Sequence, residues 1–415
     1  MFNPGEVIVQ KYGGSSVASS ERISRVAERI AEIARTGRRM AVVVSAMGDT
    51  TDDLISLMHS VNPDPDSREL DQLMATGEIA SCSLLAAALS RLGIKARSFT
   101  AHHLQIQTDG NFGSAEIKKF GKIEVLASFL KPASVAVVAG FQGISPTGDL
   151  TTLGRGGTDI TAVSLASELG QMVCEKLTDE EGIYSADPKF IPTARKIWHL
   201  DYNEMKNLSV FGNGILNPRA IDVAQKYNIR INVRSSFKNE EGSIVGPDGD
   251  LDIPLKSLTC DKKQALVSIE RIPGSGLRCD EISGKVFSFQ PSVREIRKNE
   301  RNGSDLKVCF HFKDAFDAMP MLWQEAVRLN AEDLVFHAKI YMLSVVGCGL
   351  KKSPQFSKRL IEALSSQGIN ILINESTDVR FSVAVSSEHG LRAMELLHKT
   401  LLDLNNESRQ STCLK

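Results

Sequence analysis

Two rhythms of apolar and polar residues divide this chain. Up to about residue 240, short continuous apolar runs alternate with stretches whose apolar residues recur every three or four positions. Residues 7–10, 41–45, 135–141 and 172–177 read as buried strands. Ile23, Val26, Ile30 and Ile33 fall on one face of a helix that Ser19 or Ser20 can cap. Further helices are predicted over 68–91, 115–130 and 160–169. Continuous apolar strands alternating with helices predict an α/β fold, a parallel sheet covered on both faces. Ligands of such sheets bind beyond the carboxyl ends of the strands, so the loops there are where chemistry is to be sought.

The rhythm breaks at 238–262, where KNEEGSIVGPDGDLDIP is polar, acidic and rich in Gly and Pro, as a domain linker is. Beyond it, 342–347 reads as a strand, 354–366 as a helix, 368–373 and 379–385 as strands, and 390–404 as a helix. That βαββα order suits a small ferredoxin-like regulatory module. A weaker copy has strands at 265–269 and 306–312 and a helix at 315–329. The expected domains are therefore 1–240, a linker at 241–262, a divergent module at 263–340 and a second module at 341–415.

Charge narrows the function classes. Across 415 residues, 49 Lys and Arg face 50 Asp and Glu, a net charge of −1. No basic excess marks a general nucleic-acid binder, and no acidic excess marks a disordered chain. The 7 cysteines include no C-x-x-C pair, which fits reduced thiols in a cytoplasmic protein and neither a disulfide framework nor a zinc site. The start, MFNPGEVIVQK, lacks the basic and apolar regions of a signal peptide. No run approaches the roughly 20 apolar residues of a membrane span.

Four loops, each after an expected strand, carry candidate chemistry. In KYGGSS at 11–16, two glycines before a helix allow close approach to an anion and Lys11 adds a full positive charge, which suits phosphate. A tight turn with a solvated lysine would look the same. No Walker A or GxGxxG pattern is present. In GRGGTDIT at 154–161, glycines again precede a helix start; Arg155 offers a planar fork to a carboxylate or phosphate, and Asp159 can anchor a lysine or a metal-bound phosphate. Asp159 or a neighbouring Thr could equally be a helix cap. In TDEEGIYSADPK at 178–189, dense turn residues order a long loop in which Tyr184 can stack on a base and Lys189 can reach a phosphate. Alone, that segment reads as an acidic surface loop. Finally, SAMGDTT at 45–51 with ATGE at 75–78 suits a small polar substrate; Glu78 can receive an ammonium or simply sit as a first-turn acid.

Together these segments resemble the aspartate kinase (aspartokinase) family. Its opening K-[FY]-G-G-[ST]-S-V stands at 11–17, its S-A-M-G-x-T-T at 45–51, its L-G-R-G-G-[ST]-D at 153–159 and its T-D-x-x-G-[IV]-Y-[ST]-A-D-P at 178–188. Residues 204–237 also follow the family, and 341–404 resembles its second ACT module. The resemblance implies an amino-acid kinase fold, a three-layer αβα arrangement on a mainly parallel sheet, followed by two ferredoxin-like βαββαβ ACT modules. It implies transfer of a phosphoryl group from ATP to the β-carboxylate of L-aspartate, the first step of lysine, threonine and methionine biosynthesis. A carboxylate with a pKa near 4 is already ionised at neutral pH, so such a transfer needs positioning and charge neutralisation more than a base.

By the same resemblance, Lys11 stabilises the transferring phosphoryl group, and Asp159 orients Lys11 or organises metal-bound phosphates. Arg155 and Glu78 hold the α-carboxylate and ammonium of aspartate, with Ser45 and Thr51 completing the pocket. Tyr12, Gly13, Gly14, Thr178, Asp179, Tyr184, Asp187, Pro188 and Lys189 line the ATP site, and Ile215 and Leu216 lie near adenine. Mg²⁺ arrives on ATP, with no dedicated protein metal site. Lysine or threonine is the expected effector at the ACT modules, and homo-oligomers form through them. Neither nucleic acid nor membrane is expected as a partner. Asn217 stands where the family usually has His, a mild departure; the first module's turn is reduced to RIPGSG at 271–276, so feedback control follows from the architecture with altered or lost control as the alternative. The alternative is an inactive amino-acid-sensing homologue; intact Lys11, Arg155 and Asp159 argue against it.

Overall fold

The computed structural model describes residues 2–413 except 213, 251–252, 274–281, 283, 290, 299–302 and 354. Residues 274–276 of the shortened turn lie outside the described residues. The chain divides into two compact units. The first comprises Met1–Ile183, Lys196–Lys206 and Ile215–Gly249; the second comprises Tyr184–Arg195, Asn207–Gly214 and Asp250–Lys415.

The first unit is built on an eight-stranded sheet. Its spatial order is His199–Asp201, Ser243–Gly246, Arg230–Ser235, Val173–Thr178, Val7–Tyr12, Arg39–Val44, Ser134–Ala139 and Lys95–Phe99. All pairs are parallel except Arg230–Ser235 with Ser243–Gly246. The unbroken apolar runs follow from burial on both faces: every residue of Ser134–Ala139 is buried. Helix Ser20–Arg35 starts where Ser19 accepts a bond from the Arg22 N–H, and it buries Ile23, Val26 and Ile30 beside Leu85 and Leu89 of helix Ser67–Arg91. Helix Gly157–Glu168 packs on Val7–Tyr12, Arg39–Val44 and Val173–Thr178.

Helix Ser67–Arg91 has the length and composition of a membrane span, which scanning for long apolar runs passed over. Here it packs in the core of the first unit and buries Asp71 and Glu78. The single helix expected over 115–130 is instead strand Ile117–Phe120, Gly121 and helix Ile123–Phe129. The strand pairs with Ile106–Thr108 in a separate four-stranded sheet, and Gly121 donates its N–H to the Gln105 carbonyl, outside any helical ladder.

The second unit carries one antiparallel six-stranded sheet, in the order Val293–Lys298, Ser304–His311, Ser257–Ile272, Asp333–Val346, Arg380–Ser386 and Ile373–Ser376. Helix Phe312–Arg328 buries Ala318 and Leu322 on the Ser257–Ile272 and Ser304–His311 strands. Helices Gln355–Ser365 and Gly390–Cys413 bury Leu360, Leu364, Leu397 and Leu401 with Leu343 and Val383. The two expected modules thus share one sheet. Of the stretch read as a linker, Ser243–Gly246 is a strand of the first unit and Ser257 already begins a strand of the second.

Candidate active site

The carboxyl ends of the first unit's central strands gather its charged side chains. Lys11 and Lys176 are register partners on adjacent parallel strands, so their side chains share a face. Both point to Asp159 in the first turn of helix Gly157–Glu168. Lys11 Nζ lies 2.9 Å from Asp159 Oδ1, and Lys176 Nζ lies 2.6 Å from Oδ2. The Asn217 backbone N–H adds a bond to Oδ2 at 3.3 Å. All three charged groups are buried.

The protonation states follow from this packing. Burial raises the Asp159 carboxyl, but Lys11 and then Lys176 more than offset it and hold the acid well below the usual carboxylate range. Burial draws the Lys176 ammonium down to about 8 against the opposing pull of Asp159. Two cations share one carboxylate. An uncompensated buried charge destabilises a fold, so the arrangement is suited to an anion.

Glu78 comes from helix Ser67–Arg91. Its Oε1 accepts the Ala46 N–H at 3.0 Å, whereas Oε2 is buried with no hydrogen-bond partner. Burial pushes this carboxyl up to about 7, an effect that the Ala46 bond and the charge of Lys11 only partly offset. The helix approaches because residue 77 is glycine: a Cβ there would lie 2.9 Å from the Ala46 Cβ. Ser45 anchors the same contact, its carbonyl accepting the Ser81 hydroxyl at 2.6 Å. Thr51 lies in the first turn of helix Thr50–Val61.

Gly13 and Gly14 turn the chain out of the first strand into a short 3₁₀ segment. A Cβ on Gly13 would sit 3.5 Å from Lys11 Nζ, so its absence keeps that side of the ammonium open. In the second glycine loop, Gly156 has φ 74°, a conformation that favours glycine, and the following helix presents its N-terminal N–H groups beside Asp159.

Other residues stand elsewhere. Arg155 is 87% exposed at its side chain and pairs with Asp52 at 2.6 Å, apart from the buried cluster. The Tyr12 side chain stands apart from the Lys11 cluster. Strand alternation sends its ring to the face opposite Lys11, where it is fully buried in the core and donates to Gln10 Oε1. Thr178 ends its strand and donates to Asp179 Oδ1 at 2.9 Å. Ile215 is half-buried and Leu216 buried. Tyr184, Asp187, Pro188 and Lys189 belong to the second unit. There the Tyr184 carbonyl accepts the Ser257 hydroxyl, and Asp187 Oδ1 accepts the Lys189 N–H.

The sequence did not single out Lys176. Lys176 is the strand neighbour of Lys11, in the strand VCEKLT, where Glu175 and Lys176 together interrupt the apolar run. Asn217 caps helix Pro218–Tyr227 by accepting from the Arg219 and Ala220 N–H groups, and its Nδ2 donates to the Arg155 carbonyl at 2.7 Å. The substitution for His thus ties two loops together. Among the described residues, no three His, Cys, Asp or Glu side chains form a metal-binding cluster.

Comparison with known proteins agrees with this geometry. Residues 6–235 match the Amino acid kinase family and residues 343–401 match the ACT domain. The chain is 36% identical over 402 residues to the aspartokinase of Thermus thermophilus, covering 95% of this chain and 98% of that one. It is 37% identical over 406 residues to the aspartokinase of Mycolicibacterium smegmatis, covering 95% of each. Among solved structures, E. coli aspartokinase III in complex with aspartate and ADP superposes with a TM-score of 0.76 at 21% identity, covering 96% of this chain and 100% of that one. The aspartate kinase from Synechocystis gives a TM-score of 0.55 at 29% identity over 95% of this chain and 69% of that one. With relatives this similar along nearly its whole length, the chain belongs to the aspartokinase family, kinases that join an amino-acid kinase fold to C-terminal ACT domains.

Proposed function

We propose that this chain transfers the γ-phosphoryl group of ATP to the β-carboxylate of L-aspartate, giving 4-phospho-L-aspartate and ADP. The observation that carries this reading is the pairing of two buried lysines on one carboxylate, near a glutamate oxygen that has no partner. The cluster offers a surplus cation to phosphate, and Glu78 Oε2 offers an acceptor to an ammonium. A solved structural relative is described with aspartate and ADP bound.

In the reaction, a β-carboxylate oxygen attacks the γ-phosphorus while the bond to the ADP oxygen breaks. No proton must leave the nucleophile, so the protein's task is to hold two anions together. Lys11 and Lys176 neutralise charge on the phosphoryl oxygens, and Asp159 fixes both ammonium groups. Gly13 and Gly14 leave the approach open. Glu78 orients the substrate by its ammonium, and Ser45 and Thr51 complete that pocket. Arg155 exchanges Asp52 for the substrate's α-carboxylate, a small cost because an exposed pair contributes only about 0–1 kcal/mol. Thr178, Asp179, Ile215 and Leu216 serve the nucleotide, as Tyr184, Asp187, Pro188 and Lys189 do on the family resemblance. Mg²⁺ would arrive with ATP and would lower the charge on its phosphates.

In this reading the first unit is catalytic and the second, whose two modules share one sheet, is regulatory. The modules take lysine or threonine with altered or lost feedback and join copies of the chain. The thiols of Cys82, Cys174, Cys260 and Cys309, none in a disulfide, suit a reducing, cytoplasmic compartment. The test is turnover of ATP·Mg²⁺ and L-aspartate, with acyl phosphate trapped as hydroxamate, in the presence and absence of lysine and threonine. Hydroxamate formed only with aspartate supports the kinase. Amino-acid binding without turnover would replace it with a sensing homologue.

A further inference from the structure

Arg155 sits at the tip of the second glycine loop, between Gly154 and Gly156, whose φ angles are 79° and 74°. Left-handed glycines on both sides of one residue give the backbone there wide freedom. That freedom must be removed if the guanidinium is to meet a ligand in one geometry. Two carbonyls of the loop are fixed from within: Gly154 accepts the Gly157 N–H at 2.8 Å, and Gly156 accepts the Asp159 N–H at 3.0 Å. The alternate two are fixed from the start of helix Pro218–Tyr227. The Leu153 carbonyl accepts Arg219 Nη1 at 2.8 Å, and the Arg155 carbonyl accepts Asn217 Nδ2 at 2.7 Å. Arg219 is anchored in turn, its Nη2 donating to the Ala115 carbonyl at 2.7 Å.

Asn217 divides its amide between two tasks. Oδ1 accepts the Arg219 and Ala220 N–H groups, at 2.8 and 3.3 Å, and so caps the helix. Nδ2 is left for the loop. The Asn217 backbone N–H also reaches Asp159 Oδ2 at 3.3 Å, so one residue touches both the Arg155 backbone and the carboxylate that holds Lys11 and Lys176. Glycine at 156 makes room for the amide, because a Cβ there would lie 2.9 Å from Asn217 Nδ2. The helix needs only the oxygen of this side chain. The nitrogen serves Arg155.

We propose that Asn217 is a positioning residue for substrate recognition: its Nδ2 holds the Arg155 carbonyl so that the guanidinium meets the α-carboxylate of the acceptor substrate. It acts through Arg155 and touches no reacting atom. The inference rests on the kinase reading, in which Arg155 grips aspartate.

Steady-state kinetics of the full chain carrying Asn217→Ser, Arg155→Ala or both tests it. Serine keeps a capping oxygen and loses the amide donor, so the melting temperature is expected to be unchanged. KM for L-aspartate is expected to rise about tenfold while KM for ATP stays within about twofold, because a group that aims one binding residue has been lost. Asn217→Thr caps in the same way and is expected to repeat the result, which keeps the test intact if the serine variant misfolds. In the Arg155→Ala background, Asn217→Ser is expected to add nothing further. An unchanged KM for aspartate, equal rises in both KM values, or a full second loss on top of Arg155→Ala overturns the inference and leaves the kinase reading standing. An unsubstituted chain that turns over no aspartate with ATP overturns both.

Discussion

Helix Ser67–Arg91 carries two buried acids two turns apart, and they differ in what surrounds them. Asp71 is closed: Oδ2 accepts the Gly113 and Thr152 N–H groups at 2.8 and 2.7 Å, and Oδ1 accepts the Thr152 hydroxyl at 2.7 Å. Glu78 has one bond, from Ala46, and an oxygen with none. The acids share a helix and deep burial, so neither residue type nor burial separates their roles. The difference lies in unspent hydrogen-bonding capacity. A satisfied buried acid ties loops together, whereas one left open stabilises nothing by its free oxygen and is suited to a ligand.

The largest expected effect tests the cations that both acids lack as direct partners. Lys11→Met and Lys176→Met should each lower kcat about a thousandfold with the fold retained, as loss of one preorganised donor to developing charge does. Single-turnover transfer would measure this. An effect confined to Lys11 would reduce Lys176 to a partner that only holds Asp159. Next, Asp71→Ala strands three donors and should cost about 3 kcal/mol of stability. Denaturant unfolding would measure the loss, and KM for aspartate should stay within about twofold in the fraction that remains folded. Glu78→Gln should do the converse. Removing a charged partner for an ammonium is expected to raise KM for aspartate about 10–100-fold, with little change in KM for ATP and no loss of stability. If Glu78→Gln destabilised the protein as Asp71→Ala does, the contrast between the two acids would collapse.

Much of this was legible before any coordinates. The apolar runs gave the parallel strands because strands buried on both faces must be continuously apolar, and the glycine loops marked the helix starts at 14 and 157. Lys11, Asp159 and Glu78 were picked out by type and position, and Lys11 and Asp159 do meet. Lys176 was hidden because its role comes from register with Lys11, a property of two strands and of neither sequence alone. Strand alternation divides the 11–17 motif between two faces, sending the Tyr12 ring away from Lys11. At 115–130, apolar spacing suggested one helix; Gly121 and pairing to Ile106–Thr108 split it, a tertiary effect that local periodicity does not carry.

The smallest expected effect is the most specific to Glu78, because two quantities should move in opposite directions with pH. Burial pushes its carboxyl in the folded protein up to about 7, above the ordinary glutamate value of about 4.5. Burial therefore favours the protonated acid. The stability this contributes is fully present below about pH 4.5 and is lost as pH rises through about 7. Binding an ammonium requires the ionised form, so affinity for aspartate should rise over the same window, by about tenfold between pH 6 and 8. Unfolding and aspartate titrations at matched pH values would separate the trends. In Glu78→Gln this residue's contribution to both slopes should vanish. Parallel movement of stability and affinity, or slopes unchanged in the Gln variant, would take the ammonium away from Glu78.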